Sequence, residues 1–152
     1  MPHHGEMILF LDFDGVLHPM PANDEGLFCR TPLLWQILRA CPHVEVVFST
    51  SWREMHDFEL LLDVATHGGG EDMAHRFIGA TDESGDAKPL RESECHAWMQ
   101  VNRPMSDWIA LDDQESRFLS NSSNLYLVDY RTGLTPGDVE ACIRRISKGG
   151  RG

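Results

Sequence analysis

The sequence lacks the features that mark several large classes of protein. No apolar run approaches the roughly 20 residues that a membrane-spanning helix needs. The N-terminus has no basic region followed by an apolar core and a small-residue cleavage site, so we do not expect secretion. The four cysteines form no Cys-x-x-Cys pair, and the histidines show no His-Glu-x-x-His spacing. We therefore expect reduced thiols, no zinc site, no membrane partner and a cytoplasmic location.

Basic residues are scarce as well. The chain of 152 residues carries 13 lysines and arginines against 24 aspartates and glutamates, which gives a formal net charge of −11. This balance argues against broad, nonspecific nucleic-acid binding through a basic surface, although an enzyme could still act on one phosphorylated end. The length suits one domain with its own core. We predict a single domain with its core over about residues 7–147 and flexible tails at 1–6 and 148–152, and we leave its oligomeric state open.

Apolar segments of strand and helix character alternate along the chain. Short apolar runs suit strands that are buried on both faces, and proline and glycine bound the helical patterns between them. This order predicts an α/β fold with a three-layer, doubly wound (Rossmann-like), mostly parallel five-stranded sheet. The predicted strands cover residues 7–11, 44–48, 76–79, 108–111 and 125–128, and the predicted helices cover 31–40, about 58–65, 92–101 and about 136–146.

The first strand ends at two aspartates, Asp12 and Asp14, which Gly15 follows. Ligands of open α/β sheets bind at the carboxyl ends of the strands. Two like charges held close together at such an end are costly unless a cation or a proton compensates them. The pattern predicts a divalent cation here, and hard oxygen ligands favour Mg2+. A solvated strand end followed by an Asp-Gly turn is the alternative.

Polar groups that should reach the same edge follow other strands. Ser49, Thr50 and Ser51 come after the second strand, and Asp112 and Asp113 come after the fourth. Cations precede the fourth strand, at Lys88 and Arg91. Together these groups offer a nucleophile, a proton carrier, a hydroxyl donor, a cation and metal ligands, which are the requirements of phosphoryl transfer.

The order of these segments resembles the haloacid dehalogenase-like (HAD) hydrolase superfamily. The segments similar to its first, second and fourth motifs are Asp12-Phe13-Asp14-Gly15-Val16, Val46-Val47-Phe48-Ser49-Thr50 and Leu111-Asp112-Asp113. Three further segments resemble a small branch that includes the HAD domain of bacterial multi-domain RNA-repair proteins. They are Ser51-Trp52-Arg53-Glu54, Arg91-x-x-Glu94-x-x-x-Trp98 and Thr132-Gly133-Leu134-Thr135.

The resemblance implies a Mg2+-dependent phosphatase. Asp12 would attack phosphorus and form an aspartyl-phosphate, and Asp14 would protonate the leaving oxygen and then activate water. Asp12, the backbone carbonyl of Asp14 and Asp112 would hold Mg2+, with Asp113 as a more distant or water-mediated ligand. In this superfamily a cap inserted after the first or second motif commonly sets specificity, and the loops here leave no room for a cap domain.

For the phosphate-binding hydroxyl and for the cation, the sequence leaves more than one neighbouring residue as a candidate. We expect Thr50 to bind a phosphate oxygen, with Ser51 and Ser49 as alternatives, and Ser51 is well placed to cap a helix instead. The resemblance favours Arg91 over Lys88 for the third motif, although arginine grips anions in a forked geometry that lysine lacks. Arg53 is expected either to contact the substrate or to form a surface salt bridge.

The sequence leaves more than one hypothesis for the substrate and for the class of activity. An open site without a cap suits a large substrate such as a phosphorylated nucleic-acid end, and it also permits a small phosphometabolite. A catalytically silent binding module of HAD fold is a second hypothesis. A receiver-type phosphoacceptor domain is a third, but such domains carry the acidic pair on the first strand and the phosphorylated aspartate on a middle strand. His18 is expected to be an ordinary loop histidine, with approach to a leaving group as the alternative.

Overall fold

The computed structural model describes residues 7–23, 25–82 and 90–148. In this part of the chain the strands are β1 (Met7–Leu11), β2 (Val44–Phe48), β3 (Phe77–Ala80), β4 (Asp107–Asp112) and β5 (Leu125–Leu127). The α-helices are α1 (Thr31–Ala40), α2 (Phe58–Thr66), α3 (Leu90–Asn102) and α4 (Pro136–Ser147). Short 3-10 helices cover Ser51–Glu54, Glu71–Arg76 and Glu115–Arg117. None of the helices described is long and apolar enough to cross a membrane.

The strands form one parallel sheet in the order β3-β2-β1-β4-β5, which places β1 at its centre. Every residue of β1 is buried, as expected for a strand covered on both faces. Leu11 at the end of β1 is level with Phe48 in β2 and Leu111 in β4. The residues that follow these three positions therefore start at the same height on the carboxyl edge of the sheet.

Helices cover both faces of the sheet. Alternate side chains of β1 point to opposite faces. Met7, Leu9 and Leu11 pack into a core cluster with residues of α1, α2 and α4, whereas Ile8 and Phe10 pack into a second cluster with residues of α3. The predicted three-layer α/β fold is therefore confirmed, and no cap domain is evident in the residues described.

Element boundaries differ from the prediction by one or two residues. Strand β3 begins at Phe77 instead of Arg76, because Arg76 is the last residue of the preceding 3-10 helix. Strand β5 ends one residue early, and helix α3 extends beyond both predicted ends. The segments 1–6, 83–89 and 149–152, which include most of the predicted tails, lie outside the described residues.

Candidate active site

Asp12 lies at the centre of the carboxyl edge, directly after β1. Its backbone N–H donates to the carbonyl of Leu111, which holds the loop after β1 against the end of β4. Nη1 of Arg91, in the first turn of α3, lies 2.8 Å from Oδ2 of Asp112 and 3.3 Å from Oδ1 of Asp12. All three side chains are buried, with 4% or less of each exposed. The arrangement brings the predicted nucleophile, cation and metal ligand into contact.

Three carboxylates surround this point. Asp12, Asp112 and Asp113 each offer an oxygen, and the three oxygens lie within 4.8 Å of one another. The oxygens of Asp112 accept hydrogen bonds from Arg91 and from the backbone N–H of Gln114. Oδ1 of Asp113 is buried and has no hydrogen-bond partner among the described residues. An unpaired buried carboxylate oxygen beside two other carboxylates suits a hard divalent cation such as Mg2+.

The electrostatics of this cluster also favour a cation. Burial raises the pKa of Asp12 well above its usual range, the negative charge of Asp112 adds to the rise, and Arg91 opposes it. Burial likewise raises the pKa of Asp113. One guanidinium cannot neutralise three carboxylates, so the cluster retains protons unless a further positive charge binds.

Gly15 makes this cluster possible. Its φ of +77° lies in the left-handed region, which glycine adopts without strain. A Cβ atom at this position would also collide with the carboxyl group of Asp113. The glycine therefore serves the turn after Asp14 and the close approach of the fourth motif.

Asp14 has different surroundings. About 41% of its side chain is exposed, against 4% for Asp12. Nε2 of His18 lies 2.8 Å from Oδ1 of Asp14, and Nε1 of Trp52 lies 3.3 and 3.2 Å from the two carboxylate oxygens. Asp14 thus has one face open while nitrogen atoms from two segments hold the other.

The three hydroxyl groups that follow β2 have different hydrogen-bond partners. Thr50 is fully buried, and its hydroxyl accepts the Trp52 backbone N–H at 3.2 Å, so Thr50 caps the 3-10 helix instead of Ser51. The Thr50 hydroxyl can still donate its own proton. Ser51 Oγ accepts from Nη2 of Arg91 at 3.3 Å, and buried Ser49 Oγ has no partner among the described residues. Phosphate binding by Thr50 or Ser51 stays a prediction.

Arg53 is buried rather than at the surface. Its guanidinium donates to the carbonyls of Thr50 and Thr81 at 2.9 and 2.8 Å, and it pairs with Glu94 of α3 at 2.9 Å. These contacts tie the end of β2 to the helix that carries Arg91. Substrate contact by Arg53 stays a prediction, and Lys88, the other predicted cation, lies outside the described residues.

Sequence reasoning did not identify His18 and Trp52 as neighbours of Asp14. His18 is fully buried and contacts Asp14, so it is not an ordinary loop histidine. His18 follows Asp14 by four residues across a tight turn, and a β-bridge joins the two residues. That short spacing was the signal that the sequence offered for this contact. Trp52 stands two residues after Thr50, where the 3-10 helix brings its indole back over the first motif.

A cavity of about 420 Å3 lies between the 3-10 helix after β2, the start of α2 and the end of β3. Arg53 and Thr81 belong to its wall and also to the hydrogen-bond network around the end of β2. The wall also contains the rings of His56 and Phe58. The centroid of the His56 ring lies 5.5 Å from that of Trp52. Of the predicted site residues that the structure describes, Arg53 lines this cavity, whereas Asp12, Asp14, Thr50 and Arg91 do not.

Comparison with known proteins identifies a family for this chain. No curated protein matches the chain significantly. A family model described as the HAD domain in Swiss Army Knife RNA repair proteins matches residues 8–139, from β1 into α4. The matched range contains Asp12, Asp14, Thr50, Arg91 and the Asp112-Asp113 pair. The chain therefore belongs to the family of HAD domains found in Swiss Army Knife RNA repair proteins.

Proposed function

We propose that the chain is a Mg2+-dependent phosphatase that hydrolyses phosphomonoesters through an aspartyl-phosphate on Asp12. The observation that carries this proposal is the different setting of the two motif aspartates. Asp12 is buried among charged groups, and Asp14 is half-open and held by nitrogen atoms. Membership of the HAD family supports a hydrolase.

The first half-reaction transfers the phosphoryl group to the protein. A carboxylate oxygen of Asp12 attacks phosphorus and forms a new P–O bond while the bond to the leaving oxygen breaks. The leaving oxygen takes the electron pair of that bond, together with a proton from Asp14. The products are the alcohol and aspartyl-phosphate.

The second half-reaction regenerates the protein. Asp14, now a carboxylate, accepts a proton from water as the water oxygen attacks phosphorus. The P–O bond to Asp12 breaks and returns its electron pair to the Asp12 carboxylate, which releases inorganic phosphate. Asp14 ends the cycle with the proton that it gave up at the start.

Asp12, Asp112 and Asp113 are the side chains that would hold Mg2+. When bound, the cation supplies positive charge that offsets the carboxylates and the phosphate. Both oxygens of Asp112 already accept hydrogen bonds, whereas Asp113 has an unpaired oxygen. We therefore favour Asp113 as a direct ligand over the water-mediated role that the sequence predicted.

Arg91 and Thr50 complete the proposed phosphate site. Arg91 already contacts Asp12, so a phosphate bound to that aspartate would lie within reach of the guanidinium. The Thr50 hydroxyl is held in place by the Trp52 N–H and retains a proton to donate to a phosphate oxygen. This assignment gives the third-motif role to Arg91.

The proposed substrate is a phosphorylated RNA end, with a small phosphometabolite as the second candidate. The matched family occurs in RNA repair proteins, which favours the nucleic-acid end. The net charge of −11 disfavours contact with a long stretch of RNA, so recognition would be confined to the terminal nucleotides.

A phosphate-release screen tests the proposal. The substrates are oligonucleotides phosphorylated at either end, nucleotides, sugar phosphates and phosphopeptides, each with Mg2+ or with a chelator. We expect Mg2+-dependent release, greatest for an oligonucleotide end, and no release by Asp12→Asn. Equal release by the two proteins would refute the nucleophile assignment, and no turnover by the wild-type protein on any substrate would favour the silent binding module.

A further inference from the structure

We infer that His18 and Trp52 are positioning residues for proton transfer by Asp14. They fix the Asp14 carboxyl group where the leaving oxygen develops charge, and neither residue needs to touch the substrate. The inference rests on the proposed phosphatase function. The inference gives a role to two side chains that lie outside the charged cluster around Asp12.

The contacts of His18 determine which of its nitrogen atoms carries a proton. The backbone N–H of Phe28 donates to Nδ1 of His18 at 3.2 Å, so Nδ1 must be unprotonated. The proton of the neutral ring therefore sits on Nε2, which donates to Oδ1 of Asp14 at 2.8 Å. Because the ring is fully buried, water cannot replace either contact.

The backbone around His18 is fixed by its neighbours. The carbonyl of Val16 accepts from the N–H of Leu134, and that of Leu17 accepts from the N–H of Arg30, both at 2.8 Å. Phe28, which donates to His18, has a φ of +58°, a conformation that is strained for a bulky residue. Strain of this kind persists where surrounding structure enforces it, and it gathers at functional sites.

Trp52 supplies the second donor from a separate part of the chain. Its indole N–H lies 3.2 and 3.3 Å from the two oxygens of Asp14. The ring packs edge-on against Phe13 and Phe28, with centroids 5.6 and 5.2 Å apart. Two donors held by packing restrict both the position and the rotation of the carboxyl group, and its open face is left for the substrate.

Positioning of this kind matters in proportion to the basicity of the leaving oxygen. An alkoxide is a poor leaving group and needs the proton of Asp14 as the P–O bond breaks. A dinitrophenolate leaves readily without a proton. Loss of a residue that positions Asp14 should therefore slow attack on an alkyl phosphate much more than attack on dinitrophenyl phosphate. A residue that merely supports the fold would affect both substrates alike.

Two substitutions of His18 form a matched pair. His18→Asn keeps an acceptor near Nδ1 for the Phe28 N–H but is too short to reach Asp14, whereas His18→Gln places an amide N–H near the position of Nε2. Trp52→Phe removes the indole N–H and keeps an aromatic ring. The measurement is kcat/KM on an alkyl phosphate and on dinitrophenyl phosphate, with the thermal unfolding midpoint and Mg2+ affinity recorded for each variant.

We expect His18→Asn and Trp52→Phe to lose about tenfold or more on the alkyl phosphate and less than about threefold on dinitrophenyl phosphate. His18→Gln should recover part of the alkyl-phosphate activity. An equal loss on both substrates, or no loss on either, would overturn the inference.

Nitrogen NMR of the imidazole gives a readout that does not depend on turnover. A protonated Nε2 and an unprotonated Nδ1, with the Nε2 signal moved by Asp14→Asn, would support the inference, and a protonated Nδ1 would overturn it. Failure of the proposed function would look different, because wild-type and Asp12→Asn proteins would then show the same turnover.

Discussion

Asp12 and Asp14 are separated by a single residue, yet their carboxyl groups meet different kinds of neighbour. We call Asp12, Arg91, Asp112 and Asp113 the nucleophile region, after the role proposed for Asp12, and this region is buried and charged. We call Asp14, His18 and Trp52 the proton-transfer region, after the role proposed for Asp14, and here the carboxylate is part-exposed and held by uncharged N–H groups. Charged neighbours suit a carboxylate that binds a cation and attacks phosphorus, and neutral donors suit one that must gain and lose a proton.

The largest expected effect comes from exchanging one aspartate at a time for asparagine. Asp12→Asn should lower turnover by about a thousandfold or more on every substrate, because no nucleophile remains. Asp14→Asn should still form aspartyl-phosphate from dinitrophenyl phosphate, with slow release of phosphate afterwards. Rapid-quench trapping of the phosphorylated protein distinguishes the two variants. Trapped phosphate on Asp12→Asn would contradict the division between the regions.

Arg91 tests how far the nucleophile region depends on its single cation. Arg91→Met leaves two buried carboxylates without their partner and should reduce the free energy of unfolding by about 3–5 kcal/mol in the absence of Mg2+. Arg91→Lys keeps the charge but loses the fork that reaches Asp112, Asp12 and Ser51. Denaturant unfolding of both variants gives the comparison. An unchanged stability of Arg91→Met would show that the pairing contributes little.

Cation binding should belong to one region only. Asp113→Asn removes the charge of the proposed direct ligand and is expected to weaken Mg2+ binding by at least about 10–100-fold, since the loss of a group that only supports a metal ligand already costs that much. Asp14→Asn keeps its backbone carbonyl and all three clustered carboxylates, so its Mg2+ affinity should stay near that of the wild type. Calorimetric titration measures both. Similar weakening in the two variants would mean that the regions share the cation.

The smallest effect is a pH dependence of stability without Mg2+. Because the pKa of Asp12 is raised in the folded protein, the folded chain keeps a proton that the unfolded chain has lost. The free energy of unfolding should therefore fall as pH rises from the usual pKa of aspartate to the raised pKa of Asp12. Asp12→Asn should flatten this slope, and Asp14→Asn, which keeps Asp12, should retain it. Saturating Mg2+ should also flatten it, because the cation replaces the proton.

The sequence was sufficient to predict that the side chains of the nucleophile region would lie together. Parallel strands bring their carboxyl ends to one edge, so the residues after β1, β2 and β4 had to meet whatever the details of the loops. Arg91 was assigned by its resemblance to one branch of the superfamily, and its contacts with Asp12 and Asp112 agree with that assignment.

The proton-transfer region could not be predicted in the same way. His18 reaches Asp14 through the shape of one turn and through a strained Phe28, and neither leaves a periodic pattern in the sequence. The burial of Arg53 depends on Glu94, which lies on a different helix. The helix cap is Thr50 and not Ser51, because the 3-10 helix already begins at Ser51 and the cap is the residue before it. Such contacts depend on side-chain directions that spacing alone does not determine.

The absent side chain of Gly15 has a consequence for how the protein tolerates mutation. Because a Cβ atom there would occupy the space of the Asp113 carboxyl group, the loop after β1 and the end of β4 form one mutational unit despite their distance in sequence. A substitution at position 15 would act as a substitution at position 113, with every other carboxylate still present. Variants at either position should therefore be epistatic, since shortening Asp113 removes the two closest contacts with a side chain at position 15 and leaves the Asp113 Cβ, at 3.0 Å, and the positive φ as the remaining penalties.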